Sequence, residues 1–191
     1  MKVIAINGSP RAEGNTAQLI RYVLEEIEKA GIETEMIQLA GKTIRGCIAC
    51  YRCFDHRNQR CSIQNDAANL CIQKMIEADG IILGTPTYFA DITAEMKGLI
   101  DRAGMVAGAN DQMFQRKVGA AVVAVRRAGA IHALDSINHF FLAREMIIPG
   151  SSYWNIGFGR DIGEVTSDEE GIQTMRVLGQ NLAWLLKKIH G

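Results

Sequence analysis

The stretch KVIAINGSPRAEGNT, residues 2–16, decides the fold of this 191-residue chain. Its opening run, residues 2–6, is short, apolar and rich in β-branched side chains, which predicts a buried strand. A glycine-containing turn occupies residues 7–16. An amphipathic helix is predicted over residues 17–30, ended by Gly31. A buried strand that leads into a helix through a short polar turn is typical of parallel sheets.

The same alternation continues along the chain. Further strands, each apolar enough to be buried on both faces, are predicted over residues 34–39, 80–83 and 117–125. Helical segments are predicted over residues 66–78, 91–105 and 131–145. A fifth strand falls at residues 146–148 or 152–158, and the sequence does not separate the two. Ser167 and Glu170 form a predicted capping box for a closing helix with an apolar stripe at Ile172, Met175, Leu178, Leu182, Leu185 and Ile189.

This pattern predicts one α/β domain over residues 1–191, with a doubly wound parallel sheet covered by helices on both faces. In such sheets, ligands bind outside the carboxyl ends of the strands. The loops after strands one, three and four are therefore expected to carry the chemistry. Residues 40–65 stand out, because a connection that long within a compact domain is usually functional.

Charge and hydropathy exclude several classes of function. Lys and Arg together number 21, as do Asp and Glu, so the basic surface of a nucleic-acid binder or a polybasic membrane anchor is missing. The apolar stretches, such as residues 119–125, are far shorter than the ~18 residues of a membrane span. No signal-peptide core is visible at the amino terminus. We therefore expect a cytoplasmic protein whose thiols stay reduced and whose partners are small molecules or other proteins.

The first loop has the composition of a phosphate site. Gly8 and Gly14 permit unusual backbone angles, and the helix that follows directs its free amides and positive dipole end at the loop. No Walker A sequence and no GxGxxG is present. An ordinary polar turn is the alternative interpretation. The side chains that can donate hydrogen bonds to a phosphate are Ser9, Arg11, Asn15 and Thr16.

The loop GTPTYFADI, residues 84–92, follows the third strand. Pro86 stiffens the turn, Thr87 supplies a hydroxyl, and Tyr88 and Phe89 supply aromatic faces suited to stacking on a planar ring. These aromatics could instead cover the end of the core.

The loop after the fourth strand, VRRAGA at residues 125–130, places Arg126 and Arg127 at an exposed strand end and Gly129 in the turn. A guanidinium there could stabilise negative charge on a bound cofactor, although solvated arginines would look the same.

GSPRxxGNT and GTPTYF together resemble the flavodoxin-like NAD(P)H-dependent FMN reductases. The resemblance implies a flavodoxin-like five-stranded sheet in the order 2-1-3-4-5 and an FMN cofactor. It implies that the phosphate binds Ser9, Arg11, Asn15 and Thr16. It also implies that the flavin lies against Pro86, Thr87, Tyr88, Phe89, Arg126, Arg127 and Gly129. The family often has more glycine in the third loop, so Ala128 and Ala130 depart from the pattern.

Four of the five cysteines lie in GCIACYRCFDHRNQRC, residues 46–61. Cys47, Cys50, Cys53 and Cys61 form a CxxCxxCx7C arrangement, and iron-sulfur clusters are held by four such thiolates. Zinc is the competing metal, but zinc sites usually pair two separated knuckles. Nearby arginines favour the thiolate form. Cys71 shares an apolar helical face and is predicted to be a core residue.

The cysteine segment resembles that of the iron-sulfur flavoproteins, a branch of the same superfamily. This implies a [4Fe-4S] cluster on the four cysteines, close to FMN, in a homodimer or homotetramer. The implied function is electron transfer between ferredoxin or NAD(P)H and an acceptor such as a quinone or an oxygen species. Two alternatives stay open: an NAD(P)H-dependent FMN or quinone reductase without a cluster, and a thiol-based or metal-based redox sensor.

Overall fold

A computed structural model describes residues 1–191. Five strands form one parallel sheet in the order β2-β1-β3-β4-β5, which confirms the predicted order 2-1-3-4-5. The strands are β1 (Lys2–Asn7), β2 (Glu33–Gln38), β3 (Gly80–Pro86), β4 (Val118–Val125) and β5 (Ile156–Phe158).

Six α-helices and one short 3₁₀ turn connect and follow the strands. They are α1 (Asn15–Lys29), α2 (Arg52–His56), α3 (Ala68–Glu77), α4 (Ala94–Ala109), α5 (Ala130–Ala143), the 3₁₀ turn (Glu164–Ser167) and α6 (Glu169–His190). None of the helices is long and apolar enough to cross a membrane. Residues 39–67, between β2 and α3, contain α2 and all four clustered cysteines.

The sheet separates two apolar cores because successive side chains of a strand point to opposite faces. In β1, Val3 and Ala5 belong to the core shared with α1 and α6. Ile4 and Ile6 belong to the larger core shared with α3, α4 and α5. Covering helices on both faces leave only the ends of the strands open to ligands.

Two sequence predictions need correction. Strand β2 is not buried on both faces: it is an edge strand in which only Ile37 is buried. The predicted capping box is wrong, because α6 begins at Glu169 and Asp168 is its N-cap, with Oδ1 accepting from Gly171 N at 3.0 Å. Ser167 instead ends the preceding 3₁₀ turn.

Both candidates for the fifth strand lie beside β4. The second contains β5, which pairs with the carboxyl end of β4. The first contributes only a single parallel bridge, between Ile147 and Val118 at the start of β4.

Two helical glycines offer a matched test of helix packing. A Cβ at Gly179 in α6 would lie 2.5 Å from Val23 O of α1, whereas one at Gly104 in α4 would meet only the Phe140 ring at 3.7 Å. We expect Gly179→Ala to lower the free energy of unfolding by about 1–3 kcal/mol through overpacking. Gly104→Ala should raise it by roughly 0.5–1 kcal/mol through helix propensity. Urea unfolding measures both, and a stabilising Gly179→Ala would contradict the close contact of α1 with α6.

Candidate functional site

The carboxyl ends of β1, β3 and β4 surround a cavity of about 300 Å³. Eight of the eleven residues predicted to bind a cofactor line it: Ser9, Arg11, Asn15, Thr16, Pro86, Thr87, Tyr88 and Arg126. The sheet thus brings together residues from all three predicted loops, and this cavity is the candidate cofactor site.

The first loop is held in shape by hydrogen bonds within it. Asn7 Oδ1 accepts from Ser9 N at 3.0 Å, and Ser9 Oγ accepts from Arg11 N at 3.1 Å. Gly8 N donates to Gly84 O of β3 at 2.7 Å. Helix α1 begins after Gly14 with no side-chain cap. Its first amides therefore have no partner within the helix and suit an anion.

Three arginines make the cavity cationic, and no acidic residue lines it. They are Arg11, Arg126 and Arg160. Arg160 follows β5, and Arg11 Nη1 donates to its carbonyl oxygen at 3.4 Å. The backbone amides of Asp161 and Arg160 donate to the carboxylate of Glu164 and lower its pKa.

Arg160 is a site residue that the sequence analysis missed. The available signal was GFGR at residues 157–160, a glycine-containing loop that follows a strand. That signal depended on the position of the fifth strand, which the sequence left open.

Asn15 connects the first loop to the segment after β5. Its Nδ2 donates to Asp161 O at 2.9 Å, and its Oδ1 accepts from Gly163 N at 3.0 Å. The side chain is almost fully buried. The side-chain carbonyl of Asn15 is therefore already hydrogen-bonded, whereas Nδ2 has a second hydrogen that can still be donated. The predicted hydrogen bond from Asn15 to a phosphate stays a prediction.

The second loop is pinned to the end of β4. Thr87 donates to Ala124 O through both its amide, at 2.8 Å, and its hydroxyl, at 3.2 Å. Tyr88 and Asp91 then exchange backbone hydrogen bonds at 2.8 and 3.0 Å. The two residues between them, Phe89 and Ala90, have φ of 47° and 64°, as in a type I′ turn.

This turn separates the two aromatics of the loop. Tyr88 lines the cavity, whereas Phe89 is fully exposed and does not reach it. The structure does not bring Phe89 to the cavity, and stacking of its ring on a flavin stays a prediction.

The third loop is divided between two cavities. Arg126 faces the candidate cofactor site, while Arg127 and Gly129 line a neighbouring cavity of about 260 Å³ that also includes Tyr153 and Trp154. Gly129 has φ of 89°, and a Cβ there would lie 2.8 Å from Ala90 Cα. Glycine at this position therefore lets the third loop pack against the turn of the second.

The four clustered cysteines line a separate and much smaller cavity. All are free thiols, and they share its lining with Arg102, Met105 and Val106 of α4. The cavity holds about 20 Å³, room for about one water molecule. The structure contains no group of three or more His, Cys, Asp or Glu side chains arranged to hold a single metal ion.

The backbone around these thiols is unusual. Four non-glycine residues of the segment have positive φ: Ala49, Tyr51, Arg57 and Gln59. Such conformations cost of order 1 kcal/mol each and cluster at functional sites. The backbone strain therefore marks the segment as a functional-site candidate.

The cysteine thiols have different surroundings. Cys50 Sγ lies 3.2 Å from Ser62 Oγ, and this hydrogen bond lowers the pKa of Cys50. Burial raises the pKa of Cys53, and the nearby Cys61 and Cys47 add to that effect. Cys71 lies in the core, as predicted, where burial raises its pKa to about 11.

A parallel sheet in this order, with a cationic cavity at its carboxyl edge, is typical of the class of flavodoxin-like proteins. The family model described as NADPH-dependent FMN reductase matches residues 1–161. The chain therefore belongs to the NADPH-dependent FMN reductase family. It is an FMN-dependent oxidoreductase.

Named relatives agree with this assignment, and a solved structure agrees with the fold. An iron-sulfur flavoprotein of Methanocaldococcus jannaschii is 40% identical over 196 residues, covering 99% of each chain. A second from the same organism is 32% identical over 200 residues, covering 100% of each. The structure of a flavodoxin from the domain Archaea superposes with a TM-score of 0.64 at 18% identity, covering 98% of this chain and 99% of that one.

Gly129→Ala should disrupt the cofactor site. Alanine at this φ costs about 1–2 kcal/mol, and its Cβ must also displace the turn at Ala90. We expect the apoprotein to lose roughly 2–4 kcal/mol in urea unfolding and to bind FMN at least ~10-fold more weakly.

Gly31→Ala is the matched control. Gly31 has φ of 78°, but a Cβ there meets nothing within 4 Å. This variant should lose about 1–2 kcal/mol of stability and keep its FMN affinity. Equal FMN affinities in the two variants would contradict a role for Gly129 in seating the loop.

Proposed function

We propose that this protein carries FMN at the carboxyl edge of the sheet and a [4Fe-4S] cluster in the cysteine segment. It would pass electrons between a reduced donor and an acceptor through these two centres. The observation that carries the proposal is that Cys47, Cys50, Cys53 and Cys61 line one cavity. The names of the full-length relatives, iron-sulfur flavoproteins, support it.

The residues of the larger cavity fit FMN. A phosphate monoester would be held by the free amides of α1 together with Ser9, Thr16 and the cationic side chains of Arg11 and Arg160. Tyr88 offers an aromatic face to the isoalloxazine ring. Bound FMN supplies hydride and single-electron chemistry. Arg126 would stabilise negative charge on the reduced ring.

The donor set of the smaller cavity fits an iron-sulfur cluster. Four thiols are the ligand set of a [4Fe-4S] centre, in which each thiolate binds its own iron. Such a centre supplies one-electron transfer. Because the cavity holds only about 20 Å³, the segment must move outward to hold the cluster. Exposure of Cys47 and Cys50 leaves that side of the segment unobstructed.

The nicotinamide dependence of the family supports NADPH as an electron donor, with ferredoxin as a second donor and quinones or oxygen species as acceptors. We further propose that the protein acts in the cytoplasm as a homodimer or homotetramer. The small size of the cysteine cavity favours one alternative, an NAD(P)H-dependent FMN or quinone reductase that works without a cluster.

Metal and flavin analysis of anaerobically purified protein tests the cluster. We expect about four iron and four sulfide per chain beside one FMN. Cys61→Ser should lower the iron content at least twofold, because a ligand is lost. FMN without iron would overturn the cluster and leave the cluster-free reductase.

Cys71→Ser is the control for that experiment. It changes a cysteine of the core that lies outside the cavity, so it should cost stability and leave the iron content per folded chain unchanged. Equal loss of iron in both variants would contradict a specific ligand role for Cys61.

Arg160→Gln tests the phosphate site. Loss of a charged hydrogen bond costs about 1.5–3 kcal/mol, so the Kd for FMN should rise by roughly 10- to 100-fold. The Kd for riboflavin, which has no phosphate, should not change. Arg127→Gln is the comparison, and a larger effect there than at Arg160 would assign the phosphate to the third loop. Flavin fluorescence titration measures the Kd of each variant for FMN and for riboflavin.

A further inference from the structure

Arg102, in the middle of α4, is the largest fully buried side chain of the protein. Its guanidinium pairs with the carboxylate of Asp66, and both side chains are completely shielded from solvent. Removing two charges from water costs several kcal/mol each, which is recovered only when every donor and acceptor has a partner. An aliphatic residue would fill a core position of α4 without that cost, so the guanidinium calls for a specific explanation.

All three nitrogens of Arg102 bind the cysteine segment. Nη1 donates to Arg45 O at 3.2 Å and to Asp66, and Nη2 donates to Ile63 O at 2.8 Å. Nε donates to Cys61 Sγ at 3.2 Å. One side chain of α4 thus contacts both ends of the cysteine segment. It holds residue 45, before the first clustered cysteine, and Cys61, Ile63 and Asp66, at and after the last.

Asp66 completes this connection. Its Oδ2 accepts from Arg45 N at 3.0 Å, and its Oδ1 accepts from Ala68 N at 3.1 Å, where α3 begins. Burial opposes its ionisation, but the hydrogen bonds from Arg102 and the two amides outweigh burial and lower its pKa. The carboxylate therefore stays charged and ties the two ends of the segment to each other.

Cys61 is also held from its backbone. Asn69 of α3 accepts from Cys61 N at 2.8 Å and donates to Cys61 O at 2.9 Å. Cys47 and Cys50, in contrast, are exposed. Of the four thiols, that of Cys61 alone accepts a hydrogen bond from a buried charged group.

We infer that Arg102 is the positioning residue of the cysteine site. It holds the two ends of the cysteine segment together and keeps Cys61 in a fixed position. It also donates a hydrogen bond to the Cys61 sulfur, which would bind iron. This inference rests on the proposed cluster. Hydrogen bonds to ligand sulfur raise the reduction potential of iron-sulfur centres, so the contact would also influence when the cluster accepts an electron.

The test compares Arg102→Lys with Arg60→Lys. Lysine keeps the buried charge but lacks the planar fork that reaches three partners. Arg60 adjoins Cys61 in sequence, is exposed, and makes no side-chain hydrogen bond, so its variant controls for an arginine-to-lysine change beside the same ligand. FMN binding, at a separate cavity, verifies that each variant is folded.

Three readouts do not depend on activity. In the cluster-free protein, alkylation of Cys61 by iodoacetamide, followed by peptide mass spectrometry, should be at least tenfold faster in Arg102→Lys than in wild type. After anaerobic reconstitution with iron and sulfide, Arg102→Lys should retain less than half of the wild-type iron. The cluster that remains should have a lower potential by electron paramagnetic resonance titration. Arg60→Lys should match wild type in all three.

Unchanged alkylation, iron content and potential in Arg102→Lys would overturn the inference. If wild-type protein takes up no cluster, the proposed cluster fails, while the alkylation rate still decides whether Arg102 fixes Cys61. Should Arg102→Lys fail to fold, Asp66→Asn replaces it, because that change removes the ionic partner and preserves its shape. The same direction of change is then expected, and its absence overturns the inference.

Discussion

The structure depends on the in-register parallel pairing of β1, β3 and β4. Asn7 pairs with Gly84, and Gly84 pairs with Val122, so the carboxyl ends of these strands lie side by side at one edge of the sheet. Helices cover both faces of the sheet, so the polar groups of the strand ends can meet a ligand at that edge. The cationic cavity is a direct consequence of this geometry, because three sequence-distant loops leave the sheet at neighbouring points.

The two candidate centres are held in different ways. Residues at the cofactor cavity follow strand ends, and their positions are set by the sheet through contacts such as the paired hydrogen bonds of Thr87 with Ala124. The cysteine segment is a long insertion after an edge strand and has no strand of its own. The buried ion pair of Arg102 with Asp66 holds its two ends, and Asn69 of α3 holds the backbone of Cys61.

The segment after β5 ties the amino-terminal loop to the carboxyl-terminal half of the chain. Asn15 bonds to Asp161 and Gly163, and Arg11 to Arg160. Each of these contacts spans more than 140 residues of sequence. The site is therefore complete only when the last strand is in place, although its characteristic motif lies in the first 16 residues.

Local patterns of the amino-acid sequence predict the alternation of strands and helices, the polar glycine-containing loop after β1 and the four-cysteine motif, because periodicity and spacing are local properties. They also identify Cys71 as a core residue from its helical face. Three features depend on the folded chain instead: which stretch forms β5, the exposure of Phe89 to solvent, and the positions of Arg160 and Arg102 at the two cavities. In the sequence those arginines resemble any other cation, because Arg102 is distinguished by its burial and both are distinguished by contacts with residues far away in the chain. Long-range packing sets both, and no local pattern records it.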